Sequence, residues 1–200
     1  IFRDCDPRVL IYSAEFDEKI REVKAAWPGM PPLFRHGDGG EDPLLAETVA
    51  PFPAAEPHSP EELTLADPLF IMYTSGTTGD PKGAVLTHQN VLFGSINSVV
   101  GCGIDRTYKS LVVAPLFHIG ALATPPWYVH AGAKAVLLRS LDPKRFLELI
   151  GEEQVTGFGA VPALLDFLKF VPSYEKYDWS SVRVILVYGA PVPVTLIREY

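Results

Sequence analysis

Residues 73–83 read YTSGTTGDPKG, and AVLTH follows them. These eleven positions hold four Ser or Thr hydroxyls, three glycines, a proline and a lysine. Successive backbone N–H groups in a glycine-rich turn form a concave nest for an anion. Ser75, Thr77 and Thr78 add neutral donors, and Lys82 adds a compact positive charge. Pro81 fixes the exit of the chain into the next element. Two common phosphate loops do not fit. A P-loop needs G-x-x-x-x-G-K-[ST] opening a helix, but the position five on from Gly76 is Pro81, and Gly83 stands after Lys82. AVLTH reads as a strand, so no helix N-terminus faces the anion. The dinucleotide fingerprint G-x-G-x-x-G fails too, because two residues separate Gly76 from Gly79. On residue chemistry alone two readings stay open: a phosphate nest, or a polar hairpin built from ordinary turn residues.

Around this loop, apolar runs alternate with helical patterns. The spacing predicts strands over 69–73 and 84–86, then a helix over 88–100 started by Thr87 or Asn90. Further strands are expected at 110–114, 135–138, 156–159 and 182–187. The helices between and after them are expected at 118–130, 142–152, 162–170 and from Pro193 onward. Such alternation predicts an α/β fold of layered, largely parallel sheets flanked by helices. Upstream, a strand over 9–13 and a helix over 17–26 precede a stretch rich in Pro, Gly, Asp and Glu, read as surface loop. Two parts are expected: 1–68, a partial subdomain with a long Pro/Gly-rich connector, and 69–200, the nucleotide-binding α/β portion. A helical pattern still runs at the last residues, VTLIREY, which reads as a segment of a longer chain.

The bulk composition excludes several classes. The 200 residues carry a net charge of −7 and no basic stripe, which argues against a nucleic-acid partner. The apolar stretch 111–129 contains His118 and three prolines, so a strand followed by a helix is expected rather than a transmembrane segment. Cys5 and Cys102 lie far apart with no metal-ligand spacing, and reduced, buried thiols in a cytoplasmic protein are expected.

As a whole word, YTSGTTGDPKG resembles the signature loop of the adenylate-forming superfamily, [YF]-[TS]-S-G-[TS]-T-G-x-P-K-G followed by a strand, at every position. That superfamily includes acyl- and aryl-CoA synthetases. The resemblance implies joining of a carboxylic acid to the α-phosphate of ATP with release of pyrophosphate, then transfer of the acyl group to a thiol, usually that of coenzyme A. It assigns the β- and γ-phosphates to Thr74, Ser75, Gly76, Thr77, Thr78, Gly79 and Lys82.

Three further segments extend the likeness over nearly the whole chain. APLFHIGAL, residues 114–122, is similar to the landmark P-x-F-H-x-x-[GA], which makes His118 the substrate-positioning candidate. LFHIGALATPPW offers no acidic partner for a substrate ammonium, so an uncharged fatty or aromatic acid is implied. Arg139 falls where relatives carry a basic residue toward the CoA phosphates. Tyr188, Gly189, Ala190 and Pro191 are similar to an adenine and acyl-pocket segment, here one residue shorter. The Mg²⁺ ligand, the ribose-binding Asp and a C-terminal lid with its lysine are not found in the 200 residues, so no metal site is expected among them. Two alternatives remain: an acyl-AMP ligase serving another acceptor, and a non-catalytic nucleotide-binding module.

Overall fold

Residues 1–55, 62–74 and 79–200 are described by a computed structural model. They fall into two units: Ile1–Leu63 with Tyr73–Ala84, and Thr64–Met72 with Val85–Tyr200.

The first unit opens with α1 (Phe2–Cys5), β1 (Leu10–Ser13) and α2 (Asp17–Ala26), followed by β2 (Leu33–His36) and α3 (Leu45–Val49). β1 and β2 pair in parallel, from Leu10 opposite Leu33 to Ser13 opposite His36. The segment read as surface loop therefore contains a strand and a short helix. β2 has four residues between Pro32 and Gly37, too few for a periodic pattern to show. Tyr12 and Ile20 are buried here. The Tyr12 hydroxyl lies 2.8 Å from both the Asp17 and Asp42 carboxylates. Lys24 Nζ donates to the two Asp42 oxygens at 2.7 and 2.8 Å. Burial alone would raise the Asp42 carboxyl, but donation from Lys24 and Tyr12 outweighs it and holds the group below the usual carboxylate range. A depressed folded value stabilises above the unfolded value, and that stabilisation is lost as pH falls through the folded one.

Pro68–Thr74 forms β3 and Lys82–Thr87 forms β4, and the two pair as a separate ribbon. α4 (His88–Cys102) starts where the sequence predicts. Asn90 N donates to Thr87 Oγ1 at 3.2 Å, and Thr87 N donates to Asn90 Oδ1 at 3.0 Å, closing a capping box. β5 (Lys109–Val112), α5 (Ile119–Leu122), α6 (Thr124–Ala131) and β6 (Lys134–Leu137) follow. Then come α7 (Pro143–Glu152), β7 (Gly157–Ala160), α8 (Pro162–Leu168), β8 (Val184–Val187) and α9 (Val194–Glu199). The second unit is organised by a four-stranded sheet in the order β6-β5-β7-β8, parallel at each pairing. Its main core joins one face of α7 (Phe146, Leu147, Ile150) to Phe158 of β7 and Leu165 and Leu168 of α8. Asp142 caps α7 by accepting from Lys144 N and Arg145 N at 3.0 and 3.1 Å.

The single helix expected over 118–130 is two. Thr124 Oγ1 donates to the Ala121 carbonyl at 2.9 Å, and Pro125 and Pro126 have no N–H to continue the ladder. Cys5 and Cys102 are free thiols but only half-buried, and Cys102 packs at the edge of the smaller core around Tyr108 and Tyr128. Among the described residues, no helix is long and apolar enough to cross a membrane.

Two outcomes follow. A Cβ at Gly157 would stand 2.7 Å from the Val184 carbonyl oxygen, inside the sheet. Gly157→Ala should cost about 1–3 kcal/mol in urea denaturation, and adding Tyr108→Phe should not restore stability, because the backbone contact remains. Asp42→Asn should flatten the loss of stability on acidification below neutral pH; an unchanged pH profile would remove Asp42 as its source.

Candidate functional site

The two described ends of the loop belong to the ribbon. β3 ends at Thr74 and β4 begins at Lys82, so the lysine enters a strand and no helix follows the loop. Thr74 Oγ1 donates to the Lys82 carbonyl at 3.5 Å, bringing the two strand ends together. Tyr73, the loop's first residue, donates its hydroxyl to the Asp4 carboxylate. That bond, with burial second, pushes the phenol up to about 12. Gly79 has φ +135°, which a side chain rarely tolerates, and open space where a Cβ would be. Lys82 is exposed. Ser75, Gly76, Thr77 and Thr78 lie outside the described residues.

The remaining candidates lie in the second unit at the carboxyl edge of the parallel sheet. His118 follows β5, Arg139 follows β6, and Tyr188–Pro191 follows β8. Parallel α/β sheets place ligands outside this edge, because every strand exits there. His118 caps α5, with Nδ1 accepting from Gly120 N at 3.1 Å, and its ring is exposed. The acceptor at Nδ1 puts the ring proton, when the imidazole is neutral, on Nε2.

Tyr188 brings the two motifs together. Its hydroxyl donates to the Gly120 carbonyl at 3.2 Å, beneath the His118 turn. Burial raises this phenol above its ordinary value, with Tyr128 as a smaller cause. The ring lies across β7: a Cβ at Gly159 would stand 2.9 Å from Tyr188 Cε1 and Oη. A Cβ at Gly120 would meet His118 Nδ1 and Tyr188 Cε2, each at 3.2 Å. Gly189 turns the chain at φ +85° beside Val161, and Ala190 and Pro191 are exposed after it.

Two cavities flank the His118 turn. One, of about 470 Å³, lies between the β5 and β6 exits and is lined by Pro115, Leu116, Phe117, Leu137 and Arg139. The other, of about 240 Å³, lies between the ribbon, α4 and α5–α6, with Phe70, Leu86, Gly94, Ile119 and Trp127 on its walls. Ile119 is the residue after His118, so this cavity adjoins the histidine turn. Among the described residues, no cluster of three or more His, Cys, Asp or Glu could hold a metal ion.

The family model described as AMP-binding enzyme matches residues 1–200. The chain belongs to the AMP-binding enzyme family. It is 37% identical over 202 residues to the long-chain-fatty-acid–CoA ligase FadD13 of Mycobacterium tuberculosis, covering 100% of this chain and 39% of that one. It is 36% identical over 160 residues to a feruloyl-CoA synthase of an Amycolatopsis species, covering 78% of this chain and 32% of that one. Among solved structures, the N-terminal domain of FACL13 from M. tuberculosis matches with a TM-score of 0.83 at 32% identity, covering 98% of this chain and 48% of that one. The chain therefore spans less than half the length of these curated relatives.

Sequence reasoning about these motifs missed Gly120 and Gly159, the two flat positions that let Tyr188 lie under the His118 turn. A legible signal was available in GFGA, because glycine inside a strand marks a close approach by another group. A double-mutant cycle tests the packing. Gly159→Ala should cost about 1–3 kcal/mol. In a Tyr188→Ala background, which removes the opposing ring, the same change should cost less by about 0.5 kcal/mol or more. Strict additivity in urea denaturation would show that the two positions do not meet.

Proposed function

We propose that the chain forms part of an ATP-dependent carboxylate–CoA ligase. The reaction runs in two steps: acid and ATP give acyl-AMP and pyrophosphate, then acyl-AMP and CoA give acyl-CoA and AMP. The observation that carries the reading is the loop of residues 73–83, held between two paired strands and ending on the exposed Lys82. Family membership over 1–200 and the ligase names of the relatives support it.

In this reading the hydroxyl and N–H donors of 74–79 and the Lys82 ammonium meet charge that builds on pyrophosphate as it leaves. Fixed donors there lower the barrier because their reorientation is already complete. Gly79 suits the task, since its backbone can approach an anion without a side chain between them. His118 positions the carboxylate and the incoming thiol from the turn over Tyr188, and Gly189, Ala190 and Pro191 bound the nucleotide and acyl side. Arg139, on the cavity beside Phe117, faces the CoA phosphates. Mg²⁺, when bound, would screen the charge of the triphosphate.

The acceptor distinguishes this reading from an acyl-AMP ligase: free CoA should discharge the adenylate. In the whole protein, ATP–pyrophosphate exchange should depend on an added carboxylic acid, and no exchange with any acid of a broad panel would refute the ligase. Lys82→Ala should slow adenylation by about a hundredfold while slowing thioester formation from supplied acyl-AMP much less. Equal losses in both half-reactions would remove the pyrophosphate role.

A further inference from the structure

The first residue of the phosphate loop is held from outside the loop. Tyr73 donates its hydroxyl to the carboxylate of Asp4, 69 positions away in sequence, and the Cys5 thiol borders the same hydroxyl. Asp4 and Cys5 are the last two residues of α1. A phenol has one proton to donate, and here it is spent on Asp4. The Tyr73 side chain is therefore a tether, and anion contacts fall to the residues after it.

α1 is in turn fixed to the end of α2. Arg3 Nη2 donates to the Ala26 carbonyl at 2.9 Å, and Phe2 stacks on Trp27 with ring centroids 6.3 Å apart. Ala26 ends α2, where the last carbonyls have no partner within the helix and a cation is favoured. On the loop side, Tyr73 immediately precedes Thr74, whose Oγ1 donates to the Lys82 carbonyl. One line of contacts thus runs from α2 through α1 and Tyr73 to both described ends of the loop. Ile1–Leu63 and Tyr73–Ala84 belong to one unit, and the line lies within it.

Asp4 is exposed. An exposed hydrogen bond adds little to the stability of a fold, because water competes for both groups. The same bond has more leverage on a loop whose donors must stay oriented while charge builds on a leaving group. One bond should then have a small effect on unfolding and a larger one on the reaction.

We propose that Asp4 is a positioning residue: through the Tyr73 hydroxyl it fixes the entry of the phosphate loop, so that the donors after Tyr73 and the Lys82 ammonium meet the leaving pyrophosphate already oriented. The assignment rests on the ligase reading for what the loop holds. Asp4 acts through Tyr73 and not on the reacting atoms.

The test uses the whole protein and compares wild type, Asp4→Ala, Asp4→Asn, Tyr73→Phe, the Asp4→Ala/Tyr73→Phe double variant and Glu18→Ala. Asparagine keeps a carbonyl acceptor for the phenol, and phenylalanine keeps the ring without the hydroxyl. Glu18, exposed on α2, controls for the loss of one carboxylate from the same unit. The measurements are acid-dependent ATP–pyrophosphate exchange, thioester formation from supplied acyl-AMP, pyrophosphate binding by calorimetry, and Tm. Asp4→Ala and Tyr73→Phe should each lower kcat of adenylation by about threefold to tenfold. KM for the acid and the rate of thioester formation should change by less than about twofold. The double variant should lose no more than either single one, because both remove the same bond. Asp4→Asn should fall between wild type and Asp4→Ala, and Glu18→Ala should match wild type. Additive losses in the double variant, equal losses in the two half-reactions, the same loss in Glu18→Ala, or losses that track a fall in Tm would overturn the proposal. A wild type that binds pyrophosphate but exchanges with no acid would refute the ligase reading. In that case a weakening of pyrophosphate binding by about threefold or more in Asp4→Ala and Tyr73→Phe would support the tether, and unchanged binding would overturn it. A wild type with neither exchange nor pyrophosphate binding would overturn both.

Discussion

Because β5, β6, β7 and β8 pair in parallel, their exits fall on one edge of the sheet, and the residues that follow them become neighbours whatever their distance in sequence. His118, Arg139, Val161 and Tyr188 are spread over 71 positions of the chain, from 118 to 188. Parallel pairing converts that separation into adjacency at a single rim. The register is fixed by side chains that fit only one alignment. Tyr108 stacks on Tyr128 with centroids 6.2 Å apart, and glycine at 157 leaves room for the Tyr108 ring beside β7. A one-residue slip of β7 would put Phe158 where glycine is needed and turn its ring out of the core.

The same strand serves two sides of the argument through its composition. GFGA carries one large residue between two small ones: Phe158 packs edge-on against Phe146 at 5.0 Å, while Gly157 and Gly159 receive Tyr108 and Tyr188. Core packing and support of the His118 turn are thus coupled within four residues. Tyr188 transmits this by geometry alone. Its ring is set by Gly159 below, and its hydroxyl holds the Gly120 carbonyl, so the loop carrying His118 rests on the sheet instead of on solvent.

How much of this was legible in the sequence depends on whether the information was local. α7 announced itself through Asp142, Pro143 and an apolar face at helical spacing, all within a dozen residues. The capping pair Thr87 and Asn90 likewise fixed the start of α4. The loop of 73–83 was recognisable as a word, and the strand pattern after it excluded a P-loop. β2 was not legible, because its reason for existing is the partner strand β1, not its own four residues. The break between α5 and α6 was only half legible. The prolines were visible, but the Thr124 hydroxyl taking the Ala121 carbonyl is a three-dimensional detail. The meeting of His118 with Tyr188 required two glycines whose role appears only when the strands are laid side by side.

Glycine carries different meanings at different places in this chain, and the distinction decides which positions bear on function. At Gly157 and Gly159 a side chain would collide, so packing accounts for the residue. At Gly79 and Gly189 the backbone has a positive φ, so conformation accounts for it.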